Sequence, residues 1–226
     1  MDWQALWLSF KLAGMTSLVL LVLGVPLAAW LAFSPSRWWK ALVETVVALP
    51  VVLPPAVLGF YVLLALGPRS PLGQAWEGLM GRSLPFSFEG LLVASVLYSL
   101  PFAVQPFVGA FLGVDRRLLE ASWTLGVGRL GTFFRIVLPL SKTGVLSGVL
   151  LSFAHTVGEF GVVLMVGGNL PGQTRTAAIA IYDDVQALDY ASANQTALVL
   201  VGFSFVMLFL LSLLKRRSTL VWPGGS

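Results

Sequence analysis

Cysteine is absent from this 226-residue chain, which excludes disulfides and any metal site built on thiolates. A single histidine, His155, leaves too little imidazole for a histidine-rich metal centre. Charge is scarce: Asp, Glu, Lys and Arg make up 11% of residues, where a soluble domain carries roughly 25%. Such a chain cannot cover a water-facing surface. No G-x-x-x-x-G-K-S/T run occurs, so the chain has no phosphate-cradling loop of its own. Repeats of about 20–50 residues, the mark of solenoids and propellers, are missing too.

What the chain does have is bilayer-length oil. Hydrophobic residues make up 57%, and the mean hydropathy is +0.88. Five stretches, about 12–34, 45–67, 90–112, 143–166 and 193–214, contain no Asp, Glu, Lys or Arg apart from Glu159. A spanning helix needs about 20 such residues at 1.5 Å per residue. The composition therefore predicts an all-α polytopic membrane protein, a single domain over 1–226 with five transmembrane helices. The first run exceeds a signal-peptide core, only Lys11 precedes it, and no clear A-x-A site follows, so it reads as a retained span.

Lysine and arginine set the expected orientation. One set of connections carries Arg37, Lys40, Arg116, Arg117, Arg129, Arg135, Lys142, Lys215, Arg216 and Arg217; the other carries Lys11, Arg69, Arg82 and Arg175. The positive-inside rule puts the richer set in the cytoplasm, the N-terminus outside and the C-terminus inside. The net charge of +4 is thereby read as topology rather than as a nucleic-acid surface. Ahead of the first run, Trp3, Leu6, Trp7 and Phe10 fall on one helical face. They form either a short interfacial helix or the first turns of the first span.

Prolines punctuate two spans. Leu49-Pro50-Val51-Val52-Leu53-Pro54-Pro55 breaks the i to i−4 ladder, and backbone groups freed in hydrocarbon need protein or a water-lined cavity. Pro54 and Pro55 are thus candidate pathway residues, with a plain kink as the alternative. Pro101 and Pro106 mark the third span in the same way.

The segment 115–140 is charged and helix-forming. Asp115 is placed to cap a short helix, whose apolar face would carry Leu118, Ala121, Ser122 and Leu125. Gly126 is suited to end it in a left-handed conformation. A second short helix would run from Leu130 to about Val137, and Leu138-Pro139 would turn the chain into the fourth span. Gly126-Val127-Gly128-Arg129-Leu130-Gly131 also spells G-x-G-x-x-G. It follows a helix rather than a strand, so it is not a dinucleotide site.

Glu159 is the one acid deep in an apolar run, and such groups usually face the bundle interior. His155 lies four residues before it, within pairing reach on a helix. The pair lines or gates a pathway, or else fixes helix packing. A catalytic dyad lacks any accompanying nucleophile or ligand set. Asp183, Asp184 and Asp189 lack tight ligand spacing, so no metal site is expected there. They fall in an outer stretch that reads by default as a solvated loop, with an amphipathic gate or a docking surface for a solute-binding protein as the alternatives.

Glu120-Ala121-Ser122, three residues, Gly126, nine residues and Ile136-Val137-Leu138-Pro139 resemble the cytoplasmic coupling loop of ABC importer permeases. One position departs: Ser122 stands where the pattern has alanine. The resemblance implies that Glu120, Ala121, Ser122, Leu125, Gly126, Leu138 and Pro139 couple the chain to an ATPase. Val157-Gly158-Glu159-Phe160-Gly161, then Gly168-Asn169-Leu170-Pro171-Gly172-Gln173-Thr174-Arg175-Thr176, resemble the signature of molybdate permeases; the proline run at 49–55 matches the same family. Sulfate permeases are close relatives. His155 stands where many members have arginine, so a fixed positive charge for the oxyanion is not carried over. Pro54, Pro55, His155, Glu159 and Asn169 become the candidate pathway or gate residues. The resemblance further implies a homodimer, two cytoplasmic ABC ATPase subunits that bind the ATP and Mg, and an external molybdate-binding protein. No cofactor is expected in this chain. The implied function is transport of molybdate, and tungstate with it, across the inner membrane. Sulfate is the alternative cargo, and a membrane enzyme using Glu159 and His155 is the more distant one.

Overall fold

A computed structural model describes the backbone of residues 1–220 and the side chains of residues 1–213. The side chains of Lys215, Arg216 and Arg217 lie outside the described residues. Every regular element among the described residues is helical. They are α1 (Trp3–Phe33), α2 (Arg37–Val52), α3 (Pro55–Leu66), α4 (Pro71–Met80), α5 (Phe88–Leu112), α6 (Arg116–Thr124), α7 (Arg129–Thr132), a π turn (Phe133–Val137), α8 (Leu138–Leu140), α9 (Lys142–Val157), α10 (Gly161–Gly167), α11 (Ala177–Gln186) and α12 (Tyr190–Leu220).

Among the described residues, three helices are long and apolar enough to cross a bilayer: α1, α5 and α12 over Tyr190–Leu213. Two bent pairs bring the number to five if each counts as one span: α2 with α3, bent by 116°, and Arg129–Leu140 with α9, bent by 72°. Exposed apolar side chains such as Leu18, Val22 and Leu23 on α1 and Val201, Phe205 and Leu208 on α12 would be a large aggregation hazard in water. Against lipid they are the expected outer surface.

Physical reasons account for the departures from the expected spans. The second span, expected as one run over 45–67, breaks between Leu53 and Pro54. Pro54 and Pro55 offer no N–H to continue the ladder, and Pro55 instead opens α3, where the missing donor costs nothing. Pro50 stays inside α2. In the third span, by contrast, α5 runs unbroken through Pro101 and Pro106, held by its place at the centre of the bundle. The fourth span is also two pieces, α9 and α10, so Glu159 sits at a break rather than within a helix. Gly158 and Glu159 donate to the carbonyls of His155 and Thr156, a tighter closing turn. The N-terminal question is settled by continuity: α1 is a single helix from Trp3, about 46 Å long at 1.5 Å per residue. Trp3 and Trp7 are exposed while Leu6 is buried, so the four residues do not share one environment.

The core forms where α1, α5 and α9 pack together, around Leu20, Ala28, Leu31, Ala103, Val104, Phe107 and Phe111. Small residues set the spacing. A Cβ placed on Gly144 would come within 2.3 Å of Ala110, and one on Gly148 within 2.6 Å of Phe107 and 2.8 Å of the Ala103 carbonyl. Without a hydrophobic driving force between helices in lipid, this close approach supplies the packing attraction. Two helices that composition did not announce, α4 and α11, complete the chain. Ser70 caps α4 by accepting from the Gly73 N–H at 2.9 Å, Pro71 follows it, and Gly81 ends the helix at φ +67.

Candidate functional site

The segment 115–140 folds as a helix–turn–helix beside the ends of α1 and α5. Asp115 accepts from the Arg117 N–H at 2.9 Å and starts α6. Its end is a Schellman motif. Val127 donates to the Ser122 carbonyl at 3.1 Å, Gly126 donates to the Trp123 carbonyl at 3.0 Å, and Gly126 holds φ +79. The expected apolar face divides in two. Leu119 and Ser122 are buried against the body, whereas Leu118, Ala121 and Leu125 face out. Leu125 is 83% exposed, and Leu130 at 76% extends the outward apolar face. Glu120 is tied along its own helix, accepting from Arg116 Nε at 2.9 Å. The second helix is short. After α7 the ladder widens to a π turn, with the Leu138 N–H reaching the Phe133 carbonyl, next to Pro139, which has no N–H to give. Leu138 is half-buried and Pro139 exposed. The chain bends into α9 one turn later.

Ser122, the departure from the expected alanine, has a partner. Its hydroxyl meets Thr132 Oγ1 at 2.9 Å in a buried contact that joins α6 to α7. Thr132 also donates to the Gly128 carbonyl at 3.2 Å, so Ser122 is the member with nothing else to bond. Thr132→Val is therefore expected to destabilise the loop by about 1–3 kcal/mol, more than Ser122→Ala does, because it strands a buried hydroxyl. Limited proteolysis of the loop in both variants checks the order.

The second constellation is buried between α5 and the α9–α10 break. Glu159 is 3% exposed. Ser95 donates to Glu159 Oε2 at 2.6 Å, and Ser99 donates to Oε1 at 2.7 Å. Ser99 also lies 2.9 Å from His155 Nδ1 and 2.8 Å from Thr156 Oγ1. One hydroxyl carries one proton. With that proton given to the carboxylate, Ser99 accepts from Thr156 and from a proton on His155 Nδ1. His155 Nδ1 itself stands 3.6 Å from Glu159 Oε1. Phe102 stacks on the imidazole at 3.8 Å, and Tyr98 flanks it at 4.8 Å between ring centroids. His155 and Glu159 stand side by side, and Ser99 bridges them, with no direct hydrogen bond between the two among the described residues. Ser95 and Ser99 were not singled out in the sequence. Their signal was two hydroxyls four residues apart in an apolar span.

The remaining candidates lie elsewhere. Pro54 and Pro55 are exposed, but Pro55 abuts the break: a Cβ on Gly161 would stand 2.8 Å from Pro55 Cβ. Asn169 belongs to a surface network. It donates to Asp183 at 2.6 Å and accepts from Arg175 Nε at 2.8 Å; Arg175 also pairs with Asp183 and reaches Asp2 at 3.8 Å. This network ties the 168–176 loop to α11 and to the start of α1. It shares no hydrogen bond with the Glu159 cluster among the described residues.

Residues 24–219 match the family model described as the binding-protein-dependent transport system inner membrane component. The chain belongs to this family. The inner membrane component is 51% identical to the molybdenum transport system permease protein ModB of Azotobacter vinelandii, over 95% of both chains. It is 35% identical to the protein of that name from Escherichia coli K12, over 96% of this chain and 95% of the relative. Its fold matches a chain of the crystal structure of a bacterial alginate ABC transporter in complex with an alginate pentasaccharide-bound periplasmic protein. The TM-score is 0.74 at 17% identity, over 96% of this chain and 78% of that one. This permease-type subunit thus has a multi-pass membrane fold and a transport role, with an outward apolar loop face on one side and a hydrogen-bonded acid buried at a helix break.

Proposed function

We propose that the chain is the permease subunit of an ATP-driven importer of molybdate, with tungstate as a second cargo. The observation that carries this reading is the 51% identity to a molybdenum permease over 95% of both chains, together with a coupling-loop motif folded as a capped helix–turn–helix. Two copies enclose the pathway, since the spans of one copy leave little room for an enclosed pore. Two cytoplasmic ATPases hold the ATP and Mg and seat on the face of Leu118, Ala121, Leu125 and Leu130. An external binding protein delivers the anion to the side carrying α4, α11 and the Asn169 network. The N-terminus lies outside and the C-terminus inside, in line with the arginine-rich 115–142 connection. The whole chain acts as one transmembrane domain.

In this reading ATP-driven closure of the ATPases pushes on α6 and its Gly126 turn. The push reaches α9 through the π turn and Pro139, and is felt at the α9–α10 break. Glu159, held by Ser95 and Ser99, latches α5 to that break. Both of its oxygens are taken up by these serines, which suits a latch rather than a contact for the cargo. The Asn169 network anchors the outer loop.

The test is uptake of molybdate, tungstate and sulfate into proteoliposomes holding the whole transporter, its ATPases and its binding protein. ATP-dependent molybdate uptake, competed by tungstate and indifferent to excess sulfate, is the expected result. Sulfate uptake that molybdate does not inhibit would sink the cargo assignment, and turnover without any ATPase would favour a membrane enzyme.

A further inference from the structure

The body-facing side of the coupling loop encloses a cavity of about 560 Å³, bounded by the ends of α1 and α5, by α6 and α7, and by the π turn. Its floor is apolar, with Phe33, Phe111 and Phe133 prominent. The charged residues lining it are Arg116 and Arg129. Arg116 shares its charge with Glu120, whereas Arg129 makes no ion pair among the described residues. The polar hydroxyl in the wall, Thr132, is already used by Ser122 and Gly128. The cavity therefore offers oil in depth and positive charge at the rim.

Its level in the membrane follows from neighbouring residues. α1 ends at Phe33, and α2 presents Trp38 and Trp39, both largely exposed. Adjacent exposed tryptophans mark the height of lipid headgroups. Phe33 and Pro35, just ahead of them in the chain, line the cavity, and its α6 wall is Arg116, Leu119 and Trp123 rather than the outward Leu118 and Leu125, so an ATPase seated on that face does not fill it. A basic pocket between membrane helices at headgroup height suits a phosphate-bearing lipid, and the volume suits the head and upper chains of one amphiphile.

We infer that this cavity binds one anionic phospholipid, its phosphate held between Arg116 and Arg129 and its chains lying on Phe33, Phe111 and Phe133. The inference rests on the membrane-subunit reading above. The bound lipid would tether the coupling loop to the bilayer surface.

The test is to reconstitute the intact transporter, with its ATPases, in nanodiscs of mixed phosphatidylglycerol and phosphatidylcholine. It is then released into detergent, and the retained lipid is weighed by native mass spectrometry. Phosphatidylglycerol is expected to be retained over phosphatidylcholine, with retention falling about tenfold in Arg116→Gln/Arg129→Gln. Ala32 also lines the cavity, and Ala32→Trp, which fills it and spares both arginines, is expected to lower retention as well. Equal retention of the two lipids, or unchanged retention in either variant, would overturn the site. Leu118→Gln, on the opposite face, should retain lipid normally, and a matching loss there would overturn it too. Lipid retention is read without transport, so failure to carry molybdate would sink the function and leave this inference standing.

Discussion

Gly126→Val is expected to cut ATP-coupled uptake at least about tenfold while the subunit still inserts into the membrane. Gly126 holds φ +79 with nothing within 4 Å of where its Cβ would be, so the penalty is conformational rather than steric. A left-handed conformation costs a residue with a Cβ roughly 1–2 kcal/mol, and a β-branched side chain sits at the upper end. The two hydrogen bonds closing the Schellman motif, from Gly126 and Val127, are the ones that fix where α7 leaves α6. A valine would open that turn and re-aim Leu125 and Leu130, both more than three-quarters exposed, away from a partner groove. Gly126→Asn, which tolerates positive φ better, should retain most of the activity. The measurement is uptake per ATP hydrolysed at matched protein levels. Uptake in the valine variant equal to that of the parent would remove the turn from the coupling path.

Glu159→Gln is expected to lower uptake at least about tenfold with assembly preserved, and Glu159→Ala to lower both. The side chain accepts from Ser95 and Ser99 at 2.6 and 2.7 Å, two short hydrogen bonds. Glutamine keeps the volume and one acceptor oxygen, but it turns the other position into a donor facing a serine hydroxyl. The latch is loosened without a cavity being made. Alanine removes both acceptors and leaves a void between α5 and the break, a combination that costs folded protein as well. Uptake rates normalised to the folded subunit recovered in detergent separate the effects. Normal uptake by the glutamine variant, with the alanine variant failing only through low recovery, would reduce Glu159 to a packing residue.

Much of this was legible in the chain because bilayer physics writes itself in long, uncharged runs. The long spans announced themselves by length alone, and Asp115, Gly126 and Pro139 marked the loop through capping and turn chemistry that depends on few neighbours. The breaks were harder to place. Pro54-Pro55 interrupts its span and Pro101 and Pro106 do not, although all four lack the same N–H; the difference lies in α5 being braced on both sides. Glu159 was expected within a helix and lies at a break, which Gly158 and Gly161 on either side hint at only once the tertiary contacts are known. Ser95, Ser99 and Thr132 stayed hidden for a simpler reason. A lone serine or threonine is common in a span or a loop helix, and its partner is set by which helix lies opposite. Leu119 and Leu118 are neighbours in sequence, and only the packed structure tells which one faces the body.

The glycines that bring α5 and α9 together leave no cushion of side chain between them, since Gly144 and Gly148 rest on Ala110, Phe107 and a backbone carbonyl. Surfaces meshed that closely do not slide. The two interruptions, after Leu53 and around Glu159, meet where Gly161 abuts Pro55. Beyond them α3 and α10 are meshed in turn, with Gly59 against Val162 and Met165. α10 is keyed to the central helix as well, since a Cβ on Gly167 would come within 2.4 Å of Leu91 on α5. Both broken spans are thus mortised to each other and to one shared post.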